Sequence, residues 1–242
     1  MFYQPGKTPH QLPRDPFKVV IVPIIACVVP RPIGWISTRS PEGVDNLAPF
    51  SQFNNLTFDP PYVMFSANQT EMNVRKDTTI NTETSGEFVW NMATYPLREA
   101  VNISAEQVPY GTDEFDRAGL TKEPAHLVNC PMVRDSPIKF ECRYHSTARL
   151  PGNPPMGTVD IIIGRVVGVH ISEDVLTDGI VDLSKAQPIA RCGYFQYARI
   201  SETFEMMIPG SGKVLYGLEG SAARNAEEAA AHAKKGTNKP KL

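Results

Sequence analysis

Residues 159–171, Val-Asp-Ile-Ile-Ile-Gly-Arg-Val-Val-Gly-Val-His-Ile, constrain the fold of this 242-residue chain more than any other stretch. The run is too rich in β-branched side chains for a comfortable helix, where each would lose rotamer freedom against the preceding turn. On a pleated strand the same side chains pack well. Gly164 and Gly168 interrupt it, as expected of bulges or of a sharp bend at a barrel corner. Just upstream, residues 138–150 alternate Ile138, Phe140, Cys142 and Tyr144 with Lys139, Glu141, Arg143 and His145. That period of two gives a strand with one buried face. Shorter β-rich runs at 33–38, 62–67 and 87–91 each follow a breaker, Pro32, Pro61 or Gly86.

Helical signals are fewer. Thr94 is placed to cap a helix over 95–104, with Leu97, Ala100 and Val101 on one face. A second short helix is expected over 77–85, ending at Gly86. Residues 221–235 have high helix propensity with polar long side chains all round, and a disordered tail is expected after them. Four prolines in residues 1–17 predict an extended arm. The expected organisation is thus an arm (1–17), one body (18–208) and a helical extension with its tail (209–242). The body is expected to be mainly β, most simply a barrel with a few peripheral helices.

Composition prunes the functional classes. With 26 acidic and 24 basic side chains, the net charge of −2 is wrong for nucleic-acid binding through overall charge. An apolar content of 41% is too high for a disordered chain. The apolar run 19–29 is far shorter than the roughly 20 residues of a spanning helix and contains Pro23, so no membrane partner is expected. The four cysteines form no CxxC pair and read as reduced thiols of a cytoplasmic protein. No two Cys or His residues fall at ligand spacing, so no metal is expected. There is no G-x-G-x-x-G after a strand, no nucleophile elbow and no H-E-x-x-H. Gly210-Ser211-Gly212-Lys213 fails as a phosphate loop, since Val214 replaces the Ser/Thr and Met207 the first Gly.

Chemistry concentrates in residues 30–61, where Ser37, Thr38, Asn46, Ser51, Asn54, Asn55 and Thr57 intermingle with Trp35, Phe50 and Phe53. A hairpin around residues 40–43 and a turn at 59–61 account for the backbone. The side-chain mixture suits a ligand with a flat heteroaromatic body and a polar tail. Further on, Arg75-Lys76-Asp77-Thr78 opens the expected 77–85 helix and offers a phosphate seat. The competing reading is a solvated basic pair with Asp77 or Thr78 as a helix cap.

In order, PRPIGWIST (30–38), NLAPFSQFNNLTFDPP (46–61), RKDT (75–78), GEFVWN (86–91), DEFDRAGLT (113–121), IIIGRVVGVHI (161–171) and RCGYFQY (191–197) resemble the flavin reductase-like family of FMN-binding split barrels, flavoredoxins included. The resemblance covers roughly residues 18–200. It implies a six-stranded Greek-key split β-barrel and a homodimer with FMN, or FAD, near the subunit interface. It implies Trp35, Ser37 and Thr38 on the strand facing the flavin, and Ala48, Pro49, Phe50, Ser51, Asn54 and Asn55 along the ring and ribityl chain. Arg75, Lys76, Asp77 and Thr78 would form the phosphate seat. The activity implied is NAD(P)H:flavin oxidoreduction, with hydride passing to flavin N5 and reduced flavin or electrons to an acceptor such as a partner monooxygenase. One departure matters. Where many reductases of the family carry Asp-His before the long strand, this chain has Thr158-Val159; His145 or His170 would have to substitute. The alternative is therefore an FMN electron carrier without NAD(P)H oxidation of its own, and a third reading is an interaction barrel with no cofactor.

Overall fold

The computed structural model describes residues 26–69, 74–152, 157–205 and 227. The chain divides into two compact units, 1–202 and 203–242, and the first holds everything that follows. The arm, the 221–235 helix and the 210–213 motif lie outside the described residues.

Seven antiparallel strands form the main sheet: β1 (Gly34–Arg39), β2 (Asp45–Phe50), β3 (Phe53–Phe58), β4 (Pro61–Asn68), β5 (Glu87–Met92), β6 (Ile138–Leu150) and β7 (Val159–Ile171). Their spatial order is β2-β1-β5-β6-β7-β4-β3. The two edge strands, β2 and β3, are consecutive in sequence and joined only by Ser51 and Gln52. Such a short link brings the edges together, so the sheet rolls into a barrel closed at that corner, where Ser66 N donates to Gln52 O (2.8 Å). The sheet has seven strands rather than six because β3 is a strand in its own right, paired along β4 from Phe53↔Phe65 to Phe58↔Pro61. Both glycines of the long strand mark register shifts against β6, one between Ile163 and Gly164 and one between Val166 and Gly168.

All seven strands fill one interior, with Ile36, Phe50, Phe53, Phe65, Phe88, Trp90, Cys142, Ile162 and Val166 in a single cluster. Its rings interlock: Phe53 stacks on Trp90 at 5.4 Å, and Phe65 meets Phe88 edge-on at 5.4 Å. A second cluster on the outer face of β1 packs Trp35, Leu47, Val101, Phe115 and Val133.

Helix α1 (Asp77–Ser85) has the expected bounds and ends at Gly86 in the left-handed conformation, φ 75°. The helix expected over 95–104 is shorter: α2 spans Arg98–Ile103, with Leu97 rather than Thr94 at its N-cap position. Pro96 disfavours helical backbone at Tyr95, and the chain there is committed elsewhere. Tyr95 N donates to Gln187 O (2.9 Å), and Thr94 bridges Pro188. Leu97, Ala100 and Val101 still pack together against the second cluster. A single turn, α3 (Glu114–Arg117), is capped by the Asp113 carboxylate, which accepts from Phe115 N and Asp116 N. No helix among the described residues is long and apolar enough to cross a membrane.

Candidate functional site

A cleft of about 870 Å³ opens at the barrel's split, between β2, the end of β4, the start of α1 and the segment 104–110. Its size is that of a small-molecule site. Ala48, Pro49, Phe50 and Ser51 form one wall, Ser66 and Asn68 another, and Arg75, Lys76, Asp77 and Thr78 the far end. Of the residues read from the sequence, these eight and Asn46 come together in the cleft.

The others go elsewhere, for reasons of strand geometry. Successive side chains of β1 point to opposite faces, so Trp35 and Ser37 project into the outer cluster. Trp35 is fully buried and its Nε1 donates to Ser104 Oγ (2.9 Å), bracing the 104–110 wall from behind. Ser37 Oγ donates to Pro131 O (2.5 Å). Thr38 points the other way but is covered by Asn46 and Asn81, whose amides donate to its hydroxyl. Asn54 and Asn55 line a separate hollow with Phe53, Trp90 and Phe140. His145 is exposed on β6 with its ring edge-on to Tyr62 at 5.2 Å, and His170 Nε2 is hydrogen-bonded to Glu141. Neither histidine lines the cleft. Thr158 Oγ1 accepts from Gln69 Nε2 (2.7 Å).

The two basic residues of the seat differ in kind. Arg75 is committed: its Nε donates to Asp160 Oδ2 (2.9 Å) and its Nη2 lies 2.8 Å from Glu83 Oε1. Arg149 contacts the same two carboxylates, so two cations and two anions balance locally. The Lys76 ammonium has no ion pair or hydrogen bond among the described residues, and burial lowers its pKa, only partly opposed by Asp77. Lys76 also occupies the N-cap position of α1, where no side chain caps the helix. The sequence-level alternative of Asp77 or Thr78 as the cap is thereby corrected, since both belong to the first turn. An uncapped helix N-terminus leaves N–H groups and partial positive charge facing the cleft. Thr78 Oγ1 accepts from Asn46 Nδ2 (2.9 Å), which leaves its own proton to donate.

Two carboxylates that matter here were not singled out from the sequence. Asp160, 1% exposed, fixes Arg75 across 85 positions of sequence. Glu114 lines the cleft, is 5% exposed and accepts from Leu47 N (2.9 Å). Burial, with the nearby charges of Asp77 and Asp113, pushes its pKa up to about 7 against the pull of the backbone N–H groups. No local motif marks either role; only the fold brings their partners to them.

The donor set fits a phosphorylated, flat heteroaromatic group. It offers an ammonium with no ion pair among the described residues, a helix N-terminus without an N-cap side-chain bond and a hydroxyl at one end, and an apolar wall with amide and hydroxyl groups at the other. A family model for the flavin reductase like domain matches residues 26–188, and the chain belongs to that family. A protein of Halalkalibacterium halodurans is 35% identical over 186 residues, covering 77% of this chain and 89% of its own. Among solved structures, nitrilotriacetate monooxygenase component B from Bacillus cereus superposes with a TM-score of 0.75 at 29% identity, over 85% of this chain and 98% of that one. The flavoredoxin of Desulfovibrio vulgaris shares the fold, with a TM-score of 0.63 at 18% identity, over 73% of this chain and 90% of that one.

Proposed function

We propose that the cleft binds FMN, or FAD through the same phosphate end, and that the protein is a flavin-dependent oxidoreductase. In the fuller form of this reading it draws hydride from NAD(P)H and passes reduced flavin or electrons to an acceptor such as a partner monooxygenase. The observation that carries it is the conjunction, in one cleft, of the Lys76 ammonium, without an ion pair among the described residues, at the N-terminus of α1 with the apolar wall of Ala48, Pro49 and Phe50. When bound, a flavin supplies the hydride-accepting chemistry at its N5, which the protein side chains lack. The chain's own part is to hold and orient. Lys76, Thr78 and the first N–H groups of α1 would take the phosphate, with Arg75 held alongside by Asp160 and Glu83. Phe50, Pro49 and Ala48 would cover the ring and exclude water. Likeness to a monooxygenase component supports the acceptor assignment.

A second reading has its own support: an FMN electron carrier that does not oxidise NAD(P)H. Among the described residues no histidine lines the cleft, and the Thr158 hydroxyl is engaged by Gln69.

Homodimerisation belongs to the same proposal. β7 runs on past its pairing with β4 and exposes Val167, Val169 and Ile171, while Leu56 and Phe58 are exposed on β3. That apolar end of the sheet suits a subunit interface.

Titrating the purified chain with FMN, followed by flavin fluorescence and visible absorbance, tests the core claim. Saturable binding is expected, and a spectrum identical to that of free FMN throughout overturns it. NADH and NADPH consumption with FMN present then separates reductase from carrier, the carrier showing almost none.

A further inference from the structure

Glu141, His170 and His126 meet on the outer face of the sheet, and none of them lines the cleft. The meeting depends on a bulge. Val166 pairs with Cys142 and faces the core, so plain alternation would turn residue 170 inward as well. The register shift between Val166 and Gly168 inserts one residue and pairs Gly168 with Glu141 and His170 with Lys139. His170 therefore stands on Glu141's face.

Glu141 is fully buried, and its carboxylate is heavily oriented. Oε1 accepts from His126 N (3.0 Å) and His170 Nε2 (2.6 Å), while Oε2 accepts from Leu127 N (2.5 Å) and Val128 N (3.0 Å). Burial works to raise its pKa, but the imidazole and three amides outweigh it and hold the group below the usual carboxylate range. Over this pair lies the His126 ring, exposed and without a side-chain hydrogen bond among the described residues, edge-on to His170 at a centroid distance of 4.9 Å. One ligand atom from each of the three residues falls within 4.8 Å of the others. Neighbouring cations are neutralised separately, Lys139 by Glu123 and Arg143 by Glu87.

We propose that His126, Glu141 and His170 form a two-histidine, one-carboxylate site for a divalent transition-metal ion of the zinc, cobalt or nickel class. Imidazole and carboxylate ligands suit such ions, and three protein ligands leave a position for water. A tetrahedral ion held at about 2.1 Å by each ligand needs neighbouring ligand atoms roughly 3.4 Å apart. The exposed His126 ring rotates inward to reach it, and the 2.6 Å His170–Glu141 contact opens to admit it. The ion binds the Nε2 lone pair of the neutral His170 tautomer that carries its one proton on Nδ1, in place of the Nε2–Glu141 hydrogen bond. The three amides stay on Glu141 and orient it as an outer shell. Because His126 belongs to the segment that crosses β6, the ion would clamp residues 126–128 to β6 and β7.

The test uses the full chain stripped with chelator, titrated with Zn²⁺ by calorimetry and with Co²⁺ by visible absorbance. Glu141 is left intact, since removing it would strand three amides. His126→Ala, His170→Ala and the double variant are compared, with circular dichroism confirming their fold. Wild type is expected to bind about one ion per chain with a visible Co²⁺ band. Each single variant should lose roughly tenfold or more in affinity, as loss of a ligand or its support does. The double variant keeps His10, His145 and His232, so superimposable wild-type and double-variant titrations would overturn the site. So would a wild type that binds neither ion. Flavin binding is a separate readout, and either result leaves it untouched.

Discussion

At the scale of single residues, the cleft divides its charge between Arg75, which two carboxylates neutralise, and Lys76, which has no ion pair among the described residues. Lys76→Ala should therefore weaken FMN binding by roughly 10- to 100-fold, the worth of a charge-assisted hydrogen bond. Riboflavin, which lacks the phosphate, should bind wild type and variant alike; an equal loss for both ligands would remove Lys76 from the phosphate. Glu114 supplies a pH-dependent counterpart. Its folded pKa of about 7 lies above the ordinary 4.5, so its share of stability is full below 4.5 and is lost as pH rises through 7. The loss amounts to about 3 kcal/mol. Gln keeps an acceptor for Leu47 N but cannot ionise. Glu114→Gln should thus be more stable than wild type at pH 8 in urea unfolding, with the gap closing toward pH 5, and parallel pH curves would contradict it. Residues 48–51 and 75–78 were legible as candidates because each set is contiguous in sequence, and both line the one cleft. Trp35 and Ser37 were not, since sequence does not say which face of β1 meets the cleft, and Asp160 and Glu114 gain their roles only from distant partners.

At the scale of elements, the long strands were legible in full because β-branched runs and period-two alternation are local properties of the chain. The 95–104 helix was not, since Pro96 and the backbone ties to Gln187 and Pro188 decide where it starts. The two glycines of β7 both mark bulges, yet they answer to different demands. A Cβ at Gly164 would lie 2.3 Å from Phe88 Cε1, and Phe88 is fully buried against Phe65. At Gly168 the nearest atoms, all of the Glu141 side chain, are 3.4 Å away, an ordinary contact. Gly164→Ala should accordingly cost about 1–3 kcal/mol, the price of overpacking a core. Gly168→Ala should be near neutral, within about 0.5 kcal/mol. Urea denaturation of the pair decides the matter, and equal midpoints would mean that the Phe88 ring gives way freely.

At the scale of the whole molecule, barrel closure follows from the two-residue link between edge strands, a relation that only the full strand order reveals. The histidine cluster has the same origin: spacing along the chain predicts no metal ligands, because His126, Glu141 and His170 come from a loop and two strands. Closure leaves β3 and the overhanging end of β7 displaying Phe58 (63% exposed) and Val169 (55% exposed). Apolar surface of this kind loses roughly 25 cal/mol for each Å² covered, so pairing two copies is favourable wherever their shapes match. A single charge on this surface would have to be buried unpaired in the dimer, and that burial costs far more than a lost methyl contact. Phe58→Asp should therefore convert a dimer in sedimentation velocity into a monomer. Its urea midpoint as a monomer should fall only modestly, since Phe58 lies outside the core clusters. A wild type that sediments as a monomer at every concentration, or a Phe58→Asp chain that still pairs, would show that copies do not meet on this face. In the first outcome the cleft, whose described lining comes from one chain, would have to bind FMN without a partner's help.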